Sequence, residues 1–156
     1  MKAISTITGL VLAAGMATSA SAGTLLASDP QTFMTYFFDE GIPAQLTKDG
    51  VGDPLIEIRK DGEKFSLFFY DCTDNAACLA VQFYSGYKTN DPVSLETINQ
   101  WNTDRRFVRA YLTDEGASRI EMDIATGWEG VSSRDFGELF SLWMESISLF
   151  EERIDW

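Results

Sequence analysis

From residue 29 onward the spacing of apolar positions switches between a helical and a strand period, and the switches divide the chain into elements. Asp29 and Pro30 read as an N-cap and a first helical residue, where the missing N–H of proline costs nothing. Phe33, Tyr36 and Phe37 then fall on one face, and Gly41 supplies a stop. The segment from Ile42 to Cys72 alternates and is broken at Asp49-Gly50, Asp53-Pro54 and Asp61-Gly62, all turn chemistry. It predicts antiparallel strands near 42–48, 54–60 and 64–71. A fourth, over 78–88, sets Leu79, Val81 and Phe83 against Ala80, Gln82 and Tyr84.

The helical period returns after Ser94, an N-cap with Val93 and Ile98 spaced to close a hydrophobic staple, and Leu95, Ile98 and Trp101 are expected to share a face. Two strands follow, around a turn at Asp114-Glu115-Gly116. In the second, Ile120, Met122 and Ile124 point inward. In the first, either Phe107 and Arg109 or Ala110 do so, because a slip of one residue inverts the faces. The last helix starts with Val131, Ser132, Asp135 and Phe136 as staple, N-cap, capping-box acid and staple partner. Its stripe Phe136, Phe140, Trp143, Ile147 and Phe150 reads as core, while Leu139, Leu142 and Met144 widen the apolar surface and keep a homodimer contact open. Helix, strands, helix, two strands, helix is the order of an α+β fold: three helices on an antiparallel sheet of about five to six strands.

The first 22 residues break this pattern. Lys2, an apolar run from Ile7 to Ala17 and Ala20-Ser21-Ala22 have the three-part form of a secretory signal peptide cleaved after Ala22. The run is too short to span a bilayer, which needs about 20 residues. Residues 23–156 then fit a single domain, expected in the periplasm or medium of a Gram-negative bacterium, with no membrane attachment after cleavage.

Charge and composition narrow the function. Without Lys2, 11 basic residues face 24 acidic ones. So negative a surface repels phosphate backbones and anionic lipid, which argues against nucleic acid. No histidine occurs. Its absence removes Ser-His-Asp and Cys-His chemistry and the commonest metal ligand, so neither a cofactor nor a metal site is expected.

Cys72 and Cys78 are the only cysteines. In an oxidising compartment two lone cysteines joined by a short loop between strands are expected to form a disulfide. A thiol oxidoreductase is the competing reading, but it would favour Cys-x-x-Cys at a helix N-terminus. Two thiolates without histidine lack the remaining zinc ligands. Asp71, Asp74 and Asn75 lack the ligand series of a calcium loop, and Asp74 and Asn75 are expected to cap the turn. Glu121 and Asp123 point to the same side of their strand, and a solvated acidic face is the plainer reading of that pair. Arg105, Arg106 and Arg109 form the best polar constellation. They could hold a carboxylate or phosphate, or favour a helix C-terminus and pair with Asp104 or Asp114.

Trp101-Asn102, Arg106-Phe107, Arg109-Ala110-Tyr111-Leu112 and Cys72-Thr73-Asp74-Asn75 together resemble the YbjN-domain family, described as candidate bacterial sensory transduction regulators, over Asp29 to Trp156. The resemblance implies a fold similar to that of type III secretion chaperones and no catalytic residues. It implies a non-enzymatic binding or regulatory domain that engages a protein or peptide through a sheet face or edge, with Trp101, Asn102, Arg105, Arg106 and Arg109 as candidate binding residues. Tyr84, Tyr87 and Trp128 are aromatics the predicted core does not use. A small-anion sensor built on the three arginines is the alternative.

Overall fold

A computed structural model describes residues 23–156; the predicted signal peptide lies outside the described residues. The order of elements is β1 (Thr24–Leu25), α1 (Pro30–Asp39), β2 (Ala44–Lys48), β3 (Pro54–Lys60), β4 (Glu63–Tyr70), β5 (Ala80–Tyr87), α2 (Leu95–Asp104), β6 (Arg109–Leu112), β7 (Ser118–Ala125), β8 (Val131–Ser132) and α3 (Ser133–Ile154). Six strands form one antiparallel sheet in the order β2-β3-β4-β5-β7-β6, and β1 pairs with β8 in a separate two-stranded sheet. The α+β reading is therefore borne out.

The helices begin where the sequence places them. The Asp29 carboxylate accepts from the Gln31 N–H, Ser94 Oγ from Thr97 N–H, and Ser132 Oγ from Asp135 N–H. At Asp61-Gly62 both residues have positive φ, and Lys60 pairs with Glu63 across them. That is the two-residue hairpin whose twist matches the strands.

All three helices lie on one face of the sheet. Phe33 and Phe37 of α1, Trp101 of α2 and the whole predicted stripe of α3 are buried. They meet Ile56, Ile58, Phe65, Leu67, Phe69, Val81, Phe83, Ile120, Met122 and Ile124, the alternate residues of the central strands. Phe83 stacks on Trp143 at 5.4 Å, Phe33 meets Phe69 edge-on at 5.6 Å, and Trp101 meets Phe150 at 5.0 Å. Rings in such offset and edge arrangements gain attraction beyond the area they bury.

Several local readings differ from the sequence expectation. Leu95 is exposed rather than buried with Ile98 and Trp101; Tyr87 is 3 % exposed and packs on Phe150, so it belongs to the core. In β6 the register puts Ala110 inward and leaves Phe107 and Arg109 outside. The pairing of β1 with β8 had no signal in the pattern, since two residues are too few to show alternation.

Cys72 and Cys78 are joined by a disulfide, with their Cα atoms 3.8 Å apart. The loop it closes is itself a small hairpin: Thr73 and Ala76 exchange backbone hydrogen bonds around Asp74-Asn75, both left-handed. Asn75 does not cap this turn with its side chain. Its Nδ2 donates to Val51 O at 3.2 Å and Asp53 Oδ1 at 2.8 Å, tying the loop to the β2–β3 turn. Ala77, with φ of 48°, also takes the left-handed conformation, which costs a residue with a Cβ about 1–2 kcal/mol. Ala77→Gly should therefore raise the urea midpoint, by about 0.5–1 kcal/mol of stability, with no change in m-value.

Candidate functional site

With the helices gathered on one side, the other face of the six-stranded sheet has no element of the described residues over it. Strand pairing decides what it presents. One row across five strands reads Glu57, Ser66, Tyr84, Glu121, Arg109; a second reads Leu55, Phe68, Gln82, Asp123. Phe68 meets Tyr84 edge-on at 5.4 Å and stacks with Tyr70 at 6.4 Å. Tyr111 is 39 % and Tyr70 43 % exposed. The result is an aromatic surface facing solvent beside a shallow hollow lined by Tyr70, Gln82, Asn102, Arg109, Tyr111 and Glu121.

Glu121 is the centre of this face. It is only 6 % exposed although no helix among the described residues covers it. Tyr111 Oη donates to Oε1 at 2.6 Å, Gln82 Nε2 to Oε2 at 3.4 Å, and the Arg109 guanidinium pairs with Oε2. Gln82 also donates to Asp123 at 2.6 Å and accepts from Tyr70 Oη at 3.3 Å. A buried carboxylate needs such partners, because desolvating an unpaired charge is costly. The network fixes the rotamers of Tyr70, Gln82, Arg109 and Tyr111 and so presents a preformed surface. Next to it, the Arg119 guanidinium lies 5.4 Å from the Tyr84 ring. It does so through a notch at Gly86, where a Cβ would come within 1.8 Å of Arg119 Nη1.

The expected solvated acidic pair is thus half right: Asp123 is open, whereas Glu121 is buried and neutralised. The register decides this: Thr113 N donates to Ala117 O, so the turn closes at 113 and 117, and counting outward from those residues puts Arg109 opposite Glu121.

Trp101 and Asn102 are engaged with the protein's own backbone. Trp101 is fully buried and donates from Nε1 to Val108 O at 2.9 Å. The Asn102 amide donates to Ala110 O at 2.9 Å and accepts from Ala110 N–H at 2.8 Å. Ala110 sits on the outer edge of β6, and Asn102 occupies both of its free groups as an added strand would. The three arginines have separate surroundings: Arg105 lies over the Trp101 ring at 5.4 Å, Arg106 is exposed, and Arg109 belongs to the Glu121 network. Asp104 pairs with Arg153 of α3 at 3.0 Å rather than with Arg105, and the hydrogen bonds from Arg153 and Gln100 hold its carboxyl below the usual range. Among the described residues, no group of three or more His, Cys, Asp or Glu side chains could hold a metal ion.

Two measurements probe the network. Arg109 is 60 % exposed, so solvent screens its charge, and Arg109→Ala should cost about 1–2 kcal/mol, less than removal of a fully buried partner. Replacing the pair together, Arg109→Met with Glu121→Leu, should recover most of that loss in urea unfolding. Burial, then the hydrogen bond and charge of Glu121, push the Tyr111 hydroxyl up from 10 to about 12. Since folding favours the neutral phenol, the unfolded chain binds fewer protons above pH 10, and stability falls as pH rises from about 10 to about 12. Tyr111→Phe should flatten that decline, and an ultraviolet titration of tyrosinate should lose a component near pH 12, leaving the still later one of buried Tyr87 in place. Burial also raises Tyr70 and Tyr84.

No helix among the described residues is long and apolar enough to cross a membrane. In comparison with known proteins, the sequence pattern of the YbjN family, described as "Putative bacterial sensory transduction regulator", matches residues 29–156. Among curated proteins none matches the chain.

Proposed function

Because this chain belongs to the YbjN family, we propose that it is a non-enzymatic regulatory domain that binds a protein or peptide across the uncovered face of its sheet. The observation that carries this reading is the Glu121 network: a buried carboxylate with its partners on a face that no helix among the described residues covers, holding aromatic residues in fixed positions for a partner. Interfaces concentrate binding energy in such rigid aromatic and arginine positions. We place the domain outside the cytoplasm, after cleavage at Ala22. The Cys72–Cys78 disulfide supports this, because such bonds persist in oxidising compartments.

The two alternatives have less support. Arg109 is already neutralised by Glu121 and Arg105 covers Trp101, which leaves a free anion little to bind. The disulfide joins a loop between strands rather than the start of a helix, where a thiol would be activated.

A photo-crosslinking residue at Tyr70 or Tyr84, introduced in cells, should trap a discrete partner, and the same residue at exposed Leu95 should not. Arg109→Glu should abolish the adduct. Adducts that are absent, or identical from all three positions, defeat the proposal. Thermal stabilisation by carboxylates or phosphates that Arg106→Ala removes would favour the anion sensor instead.

A further inference from the structure

The open face carries a third row beside the two already described. Arg59 of β3 lies directly opposite Lys64 of β4, and Gly86 of β5 lies opposite Arg119 of β7, which in turn faces Tyr111 of β6. Continuing the β4–β5 register past Ser66 and Tyr84 brings Lys64 beside Gly86 and joins these pairs into one line. Its side chains point away from the helices, because Ile58, Phe65 and Ile120, next to them along the strands, are buried in the core. Arg59 and Lys64 are exposed and Arg119 partly so. Gly86 leaves a gap that is filled from the side: the Arg119 guanidinium lies over it, in the space a side chain there would take, and rests on the Tyr84 ring at 5.4 Å. Three cations thus share a line two strand spacings long, about 10 Å.

This arrangement works against the fold. Like charges directly opposite in an antiparallel pair destabilise it, and none of the three has an ion-pair partner among the described residues. In the next row Glu57 is exposed, whereas Glu121 is already taken up by Arg109, Tyr111 and Gln82. One open carboxylate against three cations leaves this patch positive in a strongly acidic molecule. A hollow of about 190 Å³, lined in part by Arg59, Lys64, Ser66, Tyr84 and Gly86, lies on it.

We infer that this row is an anion-binding site for a short acidic segment of the partner, whose carboxylates sit on Arg59, Lys64 and Arg119. The inference rests on the reading of the open face as a partner surface and adds the partner's chemistry. In an extended chain every second side chain points the same way, about 6.7 Å apart, so two carboxylates at alternate positions fit within the line. Charge-assisted hydrogen bonds from guanidinium and ammonium groups would hold them. The net charge selects the size of the ligand. A nucleic acid or an anionic bilayer meets the repulsion of the entire acidic surface. A short segment feels mainly the charges within a Debye length, about 8 Å at physiological salt.

Fluorescence anisotropy of a labelled decapeptide of alternating Glu and Thr, with Gln replacing Glu as control, tests this on the mature chain. The Glu peptide should bind at least about tenfold more tightly than the Gln peptide, and added salt should remove most of the difference. Arg59→Gln with Lys64→Gln should raise its Kd at least about tenfold while the urea midpoint stays or rises, because the repelling pair is gone. Gly86→Val keeps every charge but displaces the Arg119 guanidinium from β5, and should also raise Kd. Equal affinity for the two peptides, no binding near about 1 mM, or a Kd indifferent to the double variant overturns the inference. So does a loss of binding that comes with a lower midpoint, which would assign the pair to the fold. Inorganic phosphate that displaces the peptide at equal concentration would give the row to a small ion, and tighter binding to phosphatidylglycerol vesicles would give it to a membrane; either result overturns it too. Crosslinking at Tyr70 and Tyr84 is a separate readout. Adducts that survive the double variant leave the partner surface standing and remove the acidic segment, whereas absent adducts beside Glu-specific binding defeat the partner surface and keep the anion site.

Discussion

Trp101→Ala should cost about 3–5 kcal/mol of unfolding free energy, the range for deleting a large buried aromatic. The side chain is fully buried against Phe150, and neighbours drawn from two helices and a sheet edge cannot all collapse into the space it leaves. The loss has a second part. Val108 O, which accepts from the indole, would be stranded beside the cavity, and an orphaned buried acceptor costs about 1–3 kcal/mol. Trp101→Phe separates the two parts: it keeps most of the packing and loses the hydrogen bond, so it should cost less than half as much. Urea unfolding gives both values. Amide exchange should speed most at residues 108–112, where α2 holds β6. A cost under about 1 kcal/mol, or unchanged exchange there, would show that Trp101 does not pin this edge.

Opening the Cys72–Cys78 disulfide should cost about 2 kcal/mol from loop entropy alone, the low end of the range because the ring is small. The loop adds its own cost. Asp71, Asp74, Asn75 and Ala77 all have positive φ, and a chain released from the link leaves those conformations readily. Cys72→Ala with Cys78→Ala is the suitable variant, because Cys78 is fully buried and serine would place a hydroxyl among apolar groups. Reductant should bring the wild-type urea midpoint down to that of the double variant and leave the variant itself unmoved. The Asn75 contacts to Val51 and Asp53 should loosen as well, while the Tyr111 titration on the open face stays as it was. A wild-type midpoint that ignores reductant would refute the assignment of stability to this bond.

Much of the fold was legible because its signals are local. Asp29-Pro30, Ser94 and Ser132 cap helices by chemistry confined to one turn, and Asp61-Gly62 makes a hairpin from two residues. The missed features depend on register or on distant partners. Whether Phe107 or Ala110 faces the core follows from where the turn at 113–117 closes. Glu121 looked like any carboxylate in an acidic chain, since its burial comes from Arg109 and Tyr111 on β6 and Gln82 on β5, the two strands that flank its own. Trp101 and Asn102 were visible as residues of interest through the family resemblance. That the Asn102 amide would read the backbone of Ala110 could not be seen, because its side chain does the same chemistry toward a ligand, a partner or its own fold.

The Asn102 plug on β6 also governs how that edge meets other chains. An exposed strand with unpaired N–H and C=O groups is a template on which further strands add, as in fibres. Asn102 keeps both groups of Ala110 occupied at the middle of β6, and so acts as a chain-stopper built from the protein's own side chain. Asn102→Ala would free those two groups and make the edge adhesive, so at high concentration that variant should scatter light while the wild type stays clear.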